Sequence, residues 1–412
     1  MGTEQILHGV RVVDMTQYLS GPTVTRLLAE QGADIVKVER APHGDPTRTL
    51  AFMKEGRSGY FVQQNRGKRS LCIDFDDPSG REVLDELISS ADVLVENYGP
   101  GVMERRGLDW ATLRQAHPRL IVASISGFGK GSGEESGLRA PGPMSHKTAF
   151  DLIAQAYSGL LYLTGTPDGT PTPVGTSYAD VMSGVHAVAG IGLALYHRER
   201  TGEGQHIDIA MVDALFHAHE LAIQGPSITK GRWTAKRMGA RSTLNTPQGV
   251  YPTADGHIVI QVMQAQWAGF CRAMDRPELI DDERFSGLAG RHANKDELNA
   301  LIESWTRSGE SALILEHLER ERVPCAPVLA PHEAIGHPYF EARGMVRVVE
   351  DAVVGEVHIP GNPLRLSAQP EEPHLVAPAL GEHNAAVLRE LGFGDERIAS
   401  MQAAGVLMSG PT

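Results

Sequence analysis

Asp180 lies in Val174-Gly-Thr-Ser-Tyr-Ala-Asp180-Val-Met-Ser-Gly-Val-His-Ala, at the head of a stretch with helical patterning. A carboxylate in the first turn of a buried helix can be a nucleophile that carries an acyl group. The positive end of the helix would stabilise its anion and its tetrahedral adducts. The same residues also spell a capping box, with Ser177 as N-cap and an acidic residue three positions on. The two readings are compatible.

A second set of side chains could hold phosphates. Lys68 and Arg69 stand in Asn65-Arg-Gly-Lys68-Arg69-Ser70, just before an apolar run. Arg40 closes Val36-Lys-Val-Glu-Arg40, and Arg105 and Arg106 follow Asn97 and Tyr98 in Glu96-Asn97-Tyr98-Gly-Pro-Gly101-Val-Met103-Glu-Arg105-Arg106. Arg and Lys forks suit phosphate and diphosphate groups, and their plain alternative is an exposed surface cation. Tyr98 could stack on a flat base or simply be half-buried. Gln17, Tyr18, Leu19 and Ser20 form the first loop, and Lys147-Thr-Ala-Phe150-Asp151 comes shortly before Asp180. Lys147 could reach ligand oxygens and Asp151 could orient neighbouring groups; otherwise they are the solvated start of a helix. His217-Ala-His219-Glu220 is the densest histidine group. Residues two apart on a helix point to different sides, so no metal site is read there.

The elements that must position these residues alternate. Val10–Asp14, Asp34–Val38, Leu71–Asp74, Asp92–Val95 and Leu120–Ile125 read as short apolar strands, with helical stretches at 22–31, 78–90 and 110–116 between them. Pro22 would open the first helix and Gly32 end it. This alternation implies a mostly parallel α/β sheet with helices on both faces. The loop after a strand at the carboxyl edge of such a sheet faces the ligand crevice. Thr16-Gln-Tyr-Leu-Ser-Gly-Pro22 lacks the G-x-G-x-x-G fingerprint, which argues against a nicotinamide dinucleotide. Gly127–Pro143 is rich in Gly, Ser and Pro and is a candidate lid. Val181, Val185, Val188, Ile191 and Leu195 put the Asp180 stretch on a long helix through Arg200, and a strand at 206–210 follows. From Gly225 the character changes to Lys230, Arg232, Lys236, Arg237 and Arg241 among small polar residues. The expected domains are therefore 1–224, a smaller α+β domain at 225–330, and a return segment at 331–412.

The bulk numbers exclude several classes. The 412 residues suggest about two or three domains. A net charge of −13 argues against nucleic acid and anionic membranes as partners. Cys72, Cys271 and Cys325 are odd in number and far apart, which fits a reducing, cytoplasmic compartment and no disulfide framework. The start, Met1-Gly-Thr-Glu-Gln-Ile, does not read as a signal peptide, and no apolar run reaches about 18 residues.

From about Leu7 to about Leu391 these separated motifs, in this order, resemble the class III (CaiB/BaiF-type) CoA-transferases. The resemblance implies a Rossmann-like large domain built from both chain ends, an inserted small domain and an interlocked homodimer. It implies that Asp180 is the nucleophile and that coenzyme A, as acyl-CoA, and a carboxylic acid are the substrates, with no metal. Arg40, Lys68, Asn97, Tyr98 and Arg105, with Arg106 beside them, would line the CoA site. Gln17, Tyr18, Leu19 and Ser20 would meet the thioester region. Leu19 departs from the glutamine of formyl-CoA transferases, which counts against a formyl or oxalate substrate. The related α-methylacyl-CoA racemases carry a histidine where this chain has Phe150. Racemisation needs two acid/base groups, so the isomerase alternative loses a partner for Asp180. A non-catalytic CoA- or nucleotide-binding protein is the other alternative.

Overall fold

In a computed structural model, residues 5–131, 141–242, 244–369 and 375–410 are described. They form two compact units, one of residues 1–160, 174–219 and 338–412, the other of residues 161–173 and 220–337.

The larger unit is built on six parallel strands: β1 (Arg11–Met15), β2 (Asp34–Arg40), β3 (Lys68–Ile73), β4 (Val93–Glu96), β5 (Ile121–Ser126) and β6 (His206–Ala210). Their order is β3-β2-β1-β4-β5-β6. Its helices include α1 (Ser20–Ala29), α2 (Gly59–Asn65), α3 (Pro78–Ser89), α4 (Trp110–Ala116), α5 (Asp151–Ser158), α6 (Tyr178–Thr201) and α7 (Met211–His217). Both faces of the sheet are buried, which is why its strands read as apolar runs. Val13, Leu71, Leu94 and Val122 enter one core with Leu84 and Leu87; Val12, Ile35, Val93 and Ile121 enter the other with Leu28 and Ile191. The strand order reverses at β1, between β2 and β4. In open α/β sheets the crevice at that switch point is where ligands bind.

Two starts differ from the sequence expectation. Helix α1 begins at Ser20, with Leu19 as N-cap, so Pro22 sits inside the first turn where its missing N–H costs nothing. The loop before it is tight: a Cβ on Gly21 would lie 2.3 Å from Thr16 Cβ. Strand β3 begins at Lys68 rather than Leu71, because Lys68 to Ser70 pair with Ile35 to Lys37 of β2. The outer edge of β3 is covered by the chain's end. The N–H groups of Ser70 and Cys72 donate to His383 Nδ1 (3.2 Å) and Asn384 Oδ1 (2.8 Å). Such side chains keep an edge strand from offering free backbone groups.

The smaller unit has an antiparallel sheet of β7 (Gln248–Pro252), β8 (His257–Gln261) and β9 (Cys325–Pro327). Helices α8 (Trp267–Ala273), α9 (Lys295–Thr306) and α10 (Ser311–Arg320) share its core, around Ile258, Phe270, Ile302 and Leu318. The sequence boundary at 225 leaves out residues 161–173. Arg237 of the basic run holds them here, donating to the carbonyls of Tyr162 (2.9 Å) and Thr166 (3.1 Å).

Helix α6 is long and apolar enough to cross a membrane by length and composition alone. Its small-residue face, Ala179, Ser183, Gly184 and Ala187, is buried, and α6 packs on α1 and β5. A Cβ on Gly184 would come within 2.9 Å of Ser20 O and Thr23 Cβ, so the two helices meet backbone to backbone. The opposite face exposes Val181, Val185, Leu193 and Tyr196.

Candidate functional site

Asp180 is the third residue of α6, half-buried, and it opens into a cavity of about 300 Å³. The capping box does not form. Ser177 makes no side-chain capping bond; instead Asp151 Oδ1 accepts the N–H of Ala179 at 2.7 Å. Gln155, fully buried on α5, ties this end together. Its Nε2 donates to Asp151 Oδ2 (2.7 Å) and its Oε1 accepts the Val174 N–H (2.9 Å). Asp180 is thereby free to turn toward the cavity. Burial, and then the like charge of Asp151, push its carboxyl up to about 7, against a hydrogen bond from Ser20 that lowers it. A carboxylate so placed is half-ionised near neutrality.

The floor of the cavity is the switch point. Gln17 and Asn97, from the loops after β1 and β4, exchange two hydrogen bonds of 2.8 Å, Gln17 N to Asn97 Oδ1 and Asn97 Nδ2 to Gln17 O. Asn97 Nδ2 also donates to Ser20 Oγ at 3.0 Å. This clamp holds Tyr18 at φ 63°, a left-handed conformation uncommon for a side-chain-bearing residue and often found at functional sites. The Tyr18 ring meets Phe150 edge-on at 5.9 Å. Both line the cavity with Tyr98, Lys147, Met211 and Asp180. A neighbouring cavity of about 470 Å³ shares Gln17 and Tyr98 and adds Arg40, Asp76, Arg105 and Arg106. Here Asp76 bridges the guanidinium groups of Arg40 (2.8 Å) and Arg106 (2.5 Å). The two cavities meet at Gln17 and Tyr98, with Asp180 lining one and Arg40, Arg105 and Arg106 the other.

The chain matches the model of "CoA-transferase family III" over residues 7–384. It belongs to this family. It is 36% identical to the formyl-CoA:oxalate CoA-transferase of Streptomyces coelicolor, over 98% of this chain and 100% of that one. It is 39% identical to the succinyl-CoA:mesaconate CoA-transferase of Haloarcula hispanica, over 94% and 97% of the two chains. The crystal structure of a CAIB/BAIF family protein from Brucella suis superposes with a TM-score of 0.81 at 34% identity, covering 94% of this chain and 100% of that one. The protein is a family III CoA-transferase, and its mixed α/β fold with a parallel central sheet is that of its CaiB/BaiF neighbour.

Of the residues singled out in sequence, the transferase brings Gln17, Tyr18, Ser20, Asn97, Tyr98, Lys147 and Asp180 to one cavity and Arg40, Arg105 and Arg106 to the next. Leu19 is half-buried at the head of α1 and lines neither. Lys68 requires correction as a phosphate ligand. Its ammonium is fully buried, 2.9 Å from Asp14 and 2.8 Å from Asn65 Oδ1. Burial alone would raise Asp14, but Lys37 and Lys68 overcome it and hold the carboxylate well below its usual range. Lys37 in turn meets Asp45 (2.8 Å) and donates to Thr16 O (2.8 Å), so this buried network braces the loop that carries Gln17. Asp151, expected to orient neighbouring groups, caps α6 through Ala179 N–H and lines neither cavity. The candidate lid at 127–143 falls largely outside the described residues. Its start is anchored, since Asp208 accepts the N–H groups of Lys130 (3.0 Å) and Gly131 (2.8 Å). Two residues went unnoticed in sequence. Gln155 stands one helical turn after Asp151, the only local signal it offers. Tyr60 of α2 is near enough to Asp180 that burial, and then that carboxylate, push its phenol up to about 12. Among the described residues no group of three or more His, Cys, Asp or Glu could hold a metal ion.

Proposed function

We propose that the transferase moves CoA from an acyl-CoA to a carboxylic acid by covalent chemistry on Asp180. The Asp180 carboxylate attacks the thioester carbonyl and expels CoA thiolate, leaving a mixed anhydride. The thiolate attacks the Asp180 carbonyl of that anhydride, releasing the donor acid and leaving an aspartyl-CoA thioester. The acceptor carboxylate attacks this thioester, again expelling thiolate, and forms a second anhydride. Thiolate then attacks the acceptor's acyl carbon, giving the new acyl-CoA and restoring Asp180. Each intermediate is an activated acyl group, so no other energy source is required, and water must be kept from it.

The observation that carries this reading is the placement of Asp180. It stands at a helix N-terminus in a cavity whose neighbour holds Arg40, Arg105 and Arg106. The arginines would take the phosphates of CoA, Tyr98 and Gln17 would flank the pantetheine arm, and Asp180 would meet the thioester. The isomerase alternative lacks support at Phe150, which cannot exchange a proton. The similar enzymes act on different acids at 36% and 39% identity, so the acids used by this chain rest on the cavity itself. The exposed apolar residues Val181, Val185, Leu193 and Tyr196 of α6 support a homodimer, the second copy covering them.

An exchange assay of acyl-CoA donors against a panel of acids, read by mass spectrometry, tests the function. Asp180→Ala should lose all but a few per cent of exchange while CoA affinity persists; substantial residual exchange would remove the mechanism.

A further inference from the structure

Asp76 stands between two of the cations that line the second cavity. It follows β3 in the turn Asp74-Phe-Asp-Asp77, and hydrogen bonds fix that turn. Asp74 N donates to Val406 O (2.8 Å), Asp76 N to Asp74 Oδ1 (3.0 Å), and Asp77 caps α3 by accepting the N–H of Ser79 (2.8 Å). The backbone therefore delivers the Asp76 carboxylate to one place. Each of its oxygens takes one arginine there, Oδ2 the Arg40 Nη2 at 2.8 Å and Oδ1 the Arg106 Nη1 at 2.5 Å. Arg106 is held from other sides as well. Its guanidinium lies 4.5 Å from the centroid of the Phe75 ring, and its carbonyl accepts from Arg81 of α3. Guanidinium groups that converge on the oxygens of one anion are also arranged to receive a phosphate.

We propose that Asp76 competes with a phosphate group of CoA for Arg40 and Arg106: acyl-CoA binds by exchange of carboxylate for phosphate at these guanidinium groups, and Asp76 thereby sets the affinity for CoA. This rests on the reading of the second cavity as the place of the CoA phosphates. The exchange is cheap on the protein side. The side chains of Asp76 and Arg40 are 47% and 58% exposed, and exposed ion pairs are worth little in water. A phosphate brings more charge and more acceptor oxygens than a carboxylate, so it can take the arginines over. Competition also suits the reaction cycle. CoA thiolate is expelled and returns twice, so the nucleotide end must hold until the new acyl-CoA is made and then let go. Asp76, tethered beside the arginines, recovers them as the phosphate leaves and so favours release.

Calorimetric titration of CoA into the parent and into Asp76→Asn tests the exchange. The amide keeps the shape of the side chain and loses its charge. CoA should bind about fivefold more tightly to the variant, the worth of about one exposed ion pair, and KM for acyl-CoA should fall by a similar factor. Asp76→Ala should act in the same direction. Asp395→Asn makes the same change of net charge at an exposed pair with Arg389 that lines neither cavity, and should leave CoA affinity as it is. Dephospho-CoA tells which phosphate is involved: a gain kept with it assigns the exchange to the diphosphate, and a gain lost assigns it to the 3′-phosphate. Unchanged or weaker CoA binding in both Asp76 variants overturns the proposal. Arg40→Ala separates that failure from failure of the site. If it weakens CoA binding several-fold while neither Asp76 variant tightens it, the phosphate site stands and the competition falls. If it leaves CoA affinity unchanged, both fall.

Discussion

The Asp151 carboxylate accepts the N–H of Ala179 at 2.7 Å and so stands as a like charge beside Asp180 at the same helix end. One group both caps the helix and raises the pKa of the residue the helix presents. Asp151→Asn keeps an acceptor for Ala179 but removes the charge. The acid limb of exchange should then move to lower pH, because Asp180 ionises more readily. Asp151→Ala should also lose about 1 kcal/mol of stability with the cap. Rate profiles against pH and denaturant melts check both.

A raised carboxyl destabilises the protein that carries it. The folded value for Asp180, about 7, lies above its ordinary 3.8, so ionisation is disfavoured in the folded state. The penalty is absent below 3.8, grows as pH rises, and is complete above about 7. Asp180→Asn should therefore be more stable than the parent at pH 8, by about 2–4 kcal/mol, and the gain should vanish on acidification. Thermal melts across pH test this; an equal difference at all pH values would contradict it.

Lys68 serves the fold. Removing it leaves Asp14 charged and fully buried, so Lys68→Met should cost about 3–5 kcal/mol. Whatever remains folded should bind CoA as the parent does. A stable variant with weakened CoA binding would instead restore Lys68 as a ligand contact.

Arg105 is exposed beside the second cavity, where it can meet a phosphate without first breaking a buried pair. Arg105→Ala should raise KM for acyl-CoA several-fold to about tenfold with kcat little changed, the pattern of lost uniform binding. Initial rates at varied acyl-CoA check it.

Much of this site is legible in the chain because its parts are local. Val93–Val95 is a continuous apolar run and Val12–Met15 is one broken only by Asp14, both are buried, and the residues shortly after them, Gln17 and Asn97, fall at the crevice by the logic of parallel sheets. The rest depends on contacts distant in sequence. Lys68 looks like a cation ahead of a strand until pairing with β2 draws it inside, beside Asp14. Ser177 spells a cap, yet Asp151, 28 residues before Ala179, takes the bond. Gln155 and Tyr60 belong to the site through packing alone, and no periodicity marks them.

The covalent state of Asp180 tests the account most directly. Incubation with a competent donor acyl-CoA and no acceptor should release the donor acid and leave CoA on Asp180 as a thioester. Hydroxylamine should then convert the side chain to a hydroxamate, and the peptide containing Asp180 should change mass accordingly in a digest. The same label on another residue, or no label with any donor that supports exchange, would contradict Asp180 as the residue that carries CoA.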